Sequence, residues 1–198
     1  MKLKRLKRAD LPPDSTAMAR YLLGKLVVRE IEGERLTGRI VETEAYLVGD
    51  AACHGFRGPT PRNKALFLER GHAYVYIAYG VSRMLNVAGG SQGAGTGVLI
   101  RALEPLAGIA FMQRRRGTER LRELTRGPGR LAQALAIELD LDGTDLCAPG
   151  PLWLAEDGAA PPKIGTSIRI GITKDVHREL RFYVRGNPFV SGPRRLNG

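Results

Sequence analysis

With 198 residues and 43% apolar content the chain can bury one substantial core, and nothing in it requires a second domain. Lys and Arg outnumber Asp and Glu by 31 to 20, a net charge of +11 that concentrates polyanions, nucleic acid foremost, at the surface. Cys53 and Cys147 stand far apart and outside any Cys-x-x-Cys pair, which excludes a disulfide framework and a cysteine zinc site.

Residues 1–10 read as a flexible basic arm with no apolar stretch behind it, so a cytoplasmic protein without signal peptide or membrane span is expected, nucleoid-associated if bacterial. The run Asp10 to Ser15 starts a helix, capped by Asp14 or Ser15 and stopped by Gly24. Leu26 to Ile31 and Leu36 to Tyr46 follow as two strands rich in β-branched residues. Alternation groups Ile40, Glu42, Glu44 and Tyr46 on one face of the second strand, with Val41, Thr43 and Ala45 behind. Two carboxylates beside an aromatic on one face are costly to bury without a purpose. From Asp50 to Lys64 the Gly, Pro and Thr content predicts a loop carrying Cys53, His54, Arg57 and Arg62.

Ala73 to Tyr79 alternates again, with Tyr74 and Tyr76 on one face and Tyr79 on the other, and Met84 to Val87 continues it as one arm of a hairpin. The stretch Gly89 to Gly97 lacks the strand and helix context of a phosphate-binding fingerprint and reads as a flexible connector, so no nucleotide cofactor is expected. Val98 to Ala102 is a buried strand interrupted by Arg101, whose charge needs a partner; Glu44 is the natural candidate. Residues 111–130 hold seven arginines against two glutamates, with a helix over Ile109 to Arg116. A second helix spans Gly129 to Ile137, and its N-terminus can serve a phosphate or be an ordinary helix start. Beyond Asp140 the chain is turn-rich through Pro162, with short strands at Ser167 to Ile172 and Leu180 to Val184.

The ordered set Gly38-Arg-Ile-Val-Glu-Thr-Glu-Ala-Tyr46, Thr60-Pro-Arg-Asn63, Tyr74-Val-Tyr-Ile-Ala-Tyr-Gly80, Asn86, Arg101-Ala-Leu-Glu-Pro105, Gly127-Pro-Gly-Arg-Leu131 and Arg181-Phe-Tyr-Val-Arg-Gly186 resembles the alkyladenine (3-methyladenine) DNA glycosylase family over nearly the whole chain. That resemblance implies an α+β fold, a single domain over 11–198 with a curved, mainly antiparallel sheet flanked by helices. It also implies removal of alkylated, and in some members deaminated, purines from double-stranded DNA by hydrolysis of the N-glycosidic bond. No cofactor, no metal and a monomer are expected.

Carried over residue by residue, Glu44 resembles the general base for the attacking water, and Arg101 a group that holds that water. Tyr46, His54 and Tyr76 resemble the walls around the extruded base, Tyr79 the residue that fills the gap in the duplex, and Asn86 the residue that discriminates against the guanine amino group. Periodicity leaves Glu42 level with Glu44, so the choice between them rests on the motif. Tyr74 has no such role and reads as a core aromatic. Arg62, Arg130 and Arg185 are candidates for phosphate contacts. The stretches Val81 to Met84 and Gly89 to Gly97 depart from the family's usual forms. Two rival classes remain: a non-catalytic nucleic-acid binder, and a helix-hairpin-helix glycosylase built on Gly127-Pro-Gly129 with Asp142 or Asp145 as its acid.

Overall fold

The computed structural model describes residues 3–197. Asp14 accepts the Ala17 amide at 2.8 Å and so caps helix α1 (Ser15–Leu22), whose apolar stripe of Met18, Ala19 and Leu22 packs onto the sheet. Strands β2 (Leu26–Ile31) and β3 (Glu34–Tyr46) are joined by Glu32-Gly33, both at positive φ as a two-residue hairpin turn requires. Strands β4 (Ala73–Ala78), β5 (Ser82–Gly89) and β6 (Thr96–Ala107) continue as an antiparallel meander. Helices α2 (Ile109–Arg116), α3 (Leu121–Leu124) and α4 (Pro128–Ala134) come next.

With β1 (Lys4–Arg5), β7 (Leu152–Glu156), β8 (Ile164–Ser167) and β9 (Arg181–Val184), the sheet runs β1-β7-β2-β3-β6-β5-β4. The long strand β3 is its axis. One edge pairs with β6 from Thr37 to Tyr46, while the other pairs with β2 up to Arg39 and then with β9 over Glu42–Glu44. The main core lies between the sheet and helices α1, α2 and α4; a smaller apolar cluster of Val41, Ala102, Tyr183, Phe189 and Val190 covers the other side. The result is the expected single α+β domain, with an antiparallel sheet flanked by helices.

Besides an irregularity between Thr37 and Gly38, strict alternation along β3 fails around Glu42. Pairing with β6 slips between Ile40 and Glu42 and again between Glu42 and Thr43, the mark of a bulge. Ile40 therefore joins the main core with Ala45, while Val41 lies in the opposite cluster and Glu42 shares Arg101 with Glu44. Ile40 is not on the carboxylate face. Strand β7 lies in the stretch read as turns, and β8 starts and ends earlier than Ser167–Ile172, so Arg169 to Ile172 leave the ladder. The Gly-rich connector is packed rather than loose: a Cβ on Gly89 would meet Ser15 Oγ at 2.3 Å, and one on Gly95 would meet Phe67 at 2.4 Å.

The N-terminal arm is also docked from its third residue. Lys4 and Arg5 pair with Glu156 and Ala155, Leu6 is 1% exposed in the main core, and Arg8 binds Asp145 at 2.5 Å. Its basic residues hid the apolar side chains that anchor it, Leu6 in the main core and Leu3 against the cluster of Leu26, Val28, Trp153 and Ala155. Leu6→Ala is expected to cost about 2–4 kcal/mol, because a cavity opens in a packed core. That corresponds to a fall of about 2–4 °C in Tm per kcal/mol, readable by calorimetry; a loose tail would show no change.

Candidate active site

A cleft of about 870 Å³ opens between the β4–β5 hairpin, the loop from Asp50 to Lys64, and residues 170–174. Its wall includes Tyr46 from β3, His54 and Arg62 from the loop, Tyr76 from β4, Asn86 from β5 and Arg101 from β6, with Tyr79 at its margin. These residues are far apart in sequence. The antiparallel order β3-β6-β5-β4 brings them together, since Glu44, Leu99, Asn86 and Tyr74 lie in register across the four strands.

Glu44 has no solvent exposure and sits directly behind this wall. Its Oε2 accepts from the Tyr46 hydroxyl at 3.0 Å, and its Oε1 accepts from the Ile170 amide at 2.8 Å and lies 3.1 Å from Arg101 Nη1. Arg101 is therefore paired as its sequence context demands, but with two carboxylates, since its Nε also donates to Glu42 Oε1 at 2.9 Å. Burial pushes the Glu42 carboxyl up, and the charges of Arg101 and Arg181 outweigh it, so the group stays below the usual carboxylate range. Burial, and then the Glu44 charge, push the Tyr46 hydroxyl far up, so it remains a donor.

The aromatic walls are arranged for flat ligands. Rings of His54 and Tyr76 meet edge-on with centroids 4.4 Å apart, and Tyr74 stacks behind Tyr76 at 5.3 Å. Tyr74 is 3% exposed and packs with Cys53, Ala65 and Leu66, a core aromatic as expected, and its hydroxyl lies 2.9 Å from His54 Nδ1. Desolvation, with Arg62 nearby, holds the His54 imidazole below its ordinary pKa, and burial pushes Tyr76 up to about 12. Both are uncharged near neutrality. Asn86 donates its amide to the Tyr74 carbonyl at 3.1 Å, which fixes how the side chain presents itself to the cleft.

Tyr79 is 83% exposed at the hairpin tip, and it and Gly80 have φ of 51° and 72°. Two successive positive φ values make the tight turn that projects the ring, with only a 3.3 Å contact from its hydroxyl to the Gly171 carbonyl. A non-glycine residue in that conformation carries about 1–2 kcal/mol of strain.

Of the three phosphate candidates, Arg62 lines the cleft; Arg130 is paired with Glu123, and Arg185 donates to the Ile164 carbonyl, neither of them in the cleft wall. Asp142 and Asp145 are also outside it, the first accepting the Val75 amide at 2.8 Å and the second holding Arg8. Lys174 lines the cleft and is exposed.

Sequence reasoning missed the segment 169–172 and the residue that secures it. Arg169 and Asp50 form an ion pair with both side chains fully buried, through Nη1 to Oδ2 and Nη2 to Oδ1 at 3.0 Å, and the guanidinium lies 4.7 Å from the centre of the Tyr46 ring. One pair thus anchors the start of the His54 loop, the back of Tyr46 and the residue before Ile170. The signal was present: an arginine inside the apolar run Ile168 to Ile172 needs a partner as Arg101 does.

Burial pushes Asp50 up, but Arg169 and the Ala52 amide hold it below the usual carboxylate range. A folded-state pKa below the unfolded value gives stability that is complete above the ordinary aspartate range and lost as pH falls through the depressed value. Thermal stability is therefore expected to decline below about pH 4. Asp50→Asn is expected to cost about 3–5 kcal/mol at neutral pH, because it strands a buried guanidinium, and to flatten that acid decline in melts taken across pH.

Comparison with known proteins identifies the family. Residues 9–188 match the sequence model of the methylpurine-DNA glycosylase (MPG) family. A protein of Mesorhizobium japonicum is 69% identical over 96% of this chain and 91% of its own length. One of Paraburkholderia phytofirmans is 46% identical over 96% and 90%, and one of Methanoculleus marisnigri 48% identical over 90% and 94%. Each bears a provisional 3-methyladenine DNA glycosylase name. Match and coverage together show that this chain belongs to the methylpurine-DNA glycosylase family.

Proposed function

We propose that this chain is a monofunctional DNA N-glycosylase that turns an alkylated purine out of double-stranded DNA and hydrolyses its N-glycosidic bond, leaving an abasic site. One observation carries the reading above the rest. The buried carboxylate of Glu44 has its hydrogen-bond donors, the Tyr46 hydroxyl and the Ile170 amide, and its ion-pair partner Arg101 among the groups that line the cleft.

Extruding a nucleotide costs a few kcal/mol, least for a damaged pair, and aromatic contacts worth about 1–3 kcal/mol per base are large enough to offset it. Tyr46, His54 and Tyr76 receive the base while Tyr79 occupies the vacated place in the stack. Water that displaces the Tyr46 hydroxyl from Oε2 gives its proton to Glu44, and its oxygen attacks the sugar carbon as the C–N bond breaks. The purine leaves with the electron pair of that bond. A purine alkylated at N3 or N7 starts cationic and departs neutral, so no acid is needed for it. Arg101 steers the water, and the Glu44 charge stabilises the positive charge that develops on the sugar. Asn86 disfavours an exocyclic amino group at the edge it faces. Arg62 meets phosphate at the rim, with Arg130 and Arg185 further out. No metal, cofactor or second subunit enters this reading, and the damaged duplex is its partner.

Single-turnover assays on an alkylated duplex test it by measuring released free base. Glu44→Gln is expected to lower the rate about a hundredfold or more with duplex binding retained, since a proton acceptor contributes about 10²–10⁴. Asp142→Asn and Asp145→Asn should leave the rate unchanged. Loss on the Asp changes alone would favour a hairpin-type glycosylase, and tight binding by the parent chain with no release would favour a non-catalytic binder. Borohydride should trap no covalent complex; a trapped species lost in Lys174→Ala would show a lyase instead. Tyr79→Ala should slow excision from duplex far more than it weakens nonspecific binding, and equal losses would remove its place in the stack.

A further inference from the structure

Arg101 reaches Glu44 as one arm of a longer buried chain. Its Nε is committed to Glu42, whose Oε1 also accepts from Arg181 Nε at 2.7 Å and whose Oε2 accepts the Ser191 amide at 2.6 Å. Arg181 is fully buried, and every one of its N–H groups has a partner. Nη1 donates to Ser167 Oγ at 2.8 Å and the Leu196 carbonyl at 3.0 Å; Nη2 donates to the Ser191 carbonyl at 3.0 Å and Asn197 Oδ1 at 2.7 Å. Neither Glu42 nor Arg181 lines the cleft. The outer end of the chain, Ser191 to Asn197, also follows the family match, which stops at residue 188.

We propose that Glu42, Arg181 and the segment Ser191–Asn197 form a positioning device that holds Arg101 divided between two carboxylates, so that Glu44 stays free enough of its guanidinium to act as a base. This rests on the reading of Glu44 as the group that takes the proton from water. A guanidinium and a single carboxylate close into a two-bonded pair, which satisfies the acid and weakens it as a proton acceptor. Glu42 opposes that closure by fixing the guanidinium through Nε in the orientation that brings Nη1 to Glu44 Oε1, while the Tyr46 hydroxyl occupies Oε2. Arg181 and the C-terminal segment keep Glu42 in place by occupying its remaining lone pairs.

The charged and titratable groups around Glu44 are Arg101 from β6, Arg169 from the segment after β8, Tyr76 from β4, and Tyr46 and Glu42 from its own strand. Arg169 is paired with Asp50, so removing the Glu42 charge leaves Arg101, until then shared, facing Glu44 alone, which favours the ionised carboxylate. The acid limb of the rate profile then moves to lower pH while the fully ionised enzyme becomes slower.

Single-turnover excision on alkylated duplex across pH, with duplex Kd and a thermal melt for each variant, tests this. Glu42→Gln, nearly isosteric, is expected to lower the limiting rate about tenfold, leave Kd within about twofold, and move the acid limb of the rate profile to lower pH. Asn197→Ala, at the half-buried end, should lower the rate about threefold, and the double variant should be no slower than Glu42→Gln, because the two act through one chain. A folded Glu42→Gln with the parent's rate and acid limb overturns the proposal. Should that variant not fold, an unchanged rate in Asn197→Ala does so. Glu44→Gln run in parallel separates the two readings: its full activity would remove the base itself, whereas its inactivity beside an unmoved Glu42→Gln would remove only the positioning device.

Discussion

Three carboxylates and three guanidiniums, those of Glu42, Glu44, Asp50, Arg101, Arg169 and Arg181, are buried together around the end of one strand, with side-chain exposure of 8% or less. Charges so far from water are tolerated only when paired and hydrogen-bonded, and each here is held by an opposite charge, with backbone amides, carbonyls or hydroxyls taking further positions. Well-packed apolar side chains of similar volume would hold the same elements together at no greater cost in stability. Charge has been placed where stability alone does not require it, which suits the proposed reaction, one that moves a proton and develops positive charge. The cluster also decides the local architecture. It draws β9 against the late part of β3, takes residues 169–172 out of the sheet, and leaves Ile170 where its amide meets Glu44.

The bulge in β3 is part of the same constraint. Without it, alternation would carry Ile40 to the carboxylate side; the slip instead gives Ile40 to the main core and lets Val41 and Glu42 face the opposite layer. A strand can then serve an apolar core at one end and an ionic site at the other. The hairpin tip shows a second local compromise. Tyr79 holds a strained turn conformation with its ring in solvent, and neither feature helps the folded state. Its hydroxyl touches Gly171, next to the residue that pins Glu44, so the segment 170–172 meets both the projecting ring and the carboxylate.

Elements governed by local physics were legible in the sequence. The Asp14 cap, strands β2 and β3 and the β4–β5 hairpin follow from capping chemistry and from the alternation of β-branched and aromatic residues. Elements decided by distant partners were not. Strand β7 is short and flanked by glycine and proline, and Leu6 and Arg8 of the basic arm gain their places from contacts far along the chain. Within the cleft, Tyr46, His54, Tyr76, Asn86 and Arg101 come together as the motif order suggested, whereas Arg130 and Arg185 stand outside it. Asp50, Arg169, Arg181 and Ile170 escaped notice because their partners lie 119 to 139 residues away. The rule that found a partner for Arg101, that an arginine in an apolar run must be paired, applies equally to Arg169 and Arg181 and would have marked both.

The distribution of charge bears on which bases the cleft suits. The chain as a whole is strongly basic, and Arg57, Arg62 and Lys174 stand exposed at the cleft, where the proposed reading puts the phosphates. A cationic purine would be repelled if that charge continued inward. It does not: His54 is held neutral by desolvation and by Arg62, Tyr76 is pushed up to about 12, and the inner guanidiniums are bound to carboxylates. What remains facing a base is a set of uncharged π faces, which stack on any purine and attract a cationic one more strongly than a neutral one. Long-range attraction of the polyanion and short-range preference for the cationic base would oppose each other in a uniformly basic pocket. Placing the cations at the rim and spending the inner ones on buried carboxylates lets one chain have both.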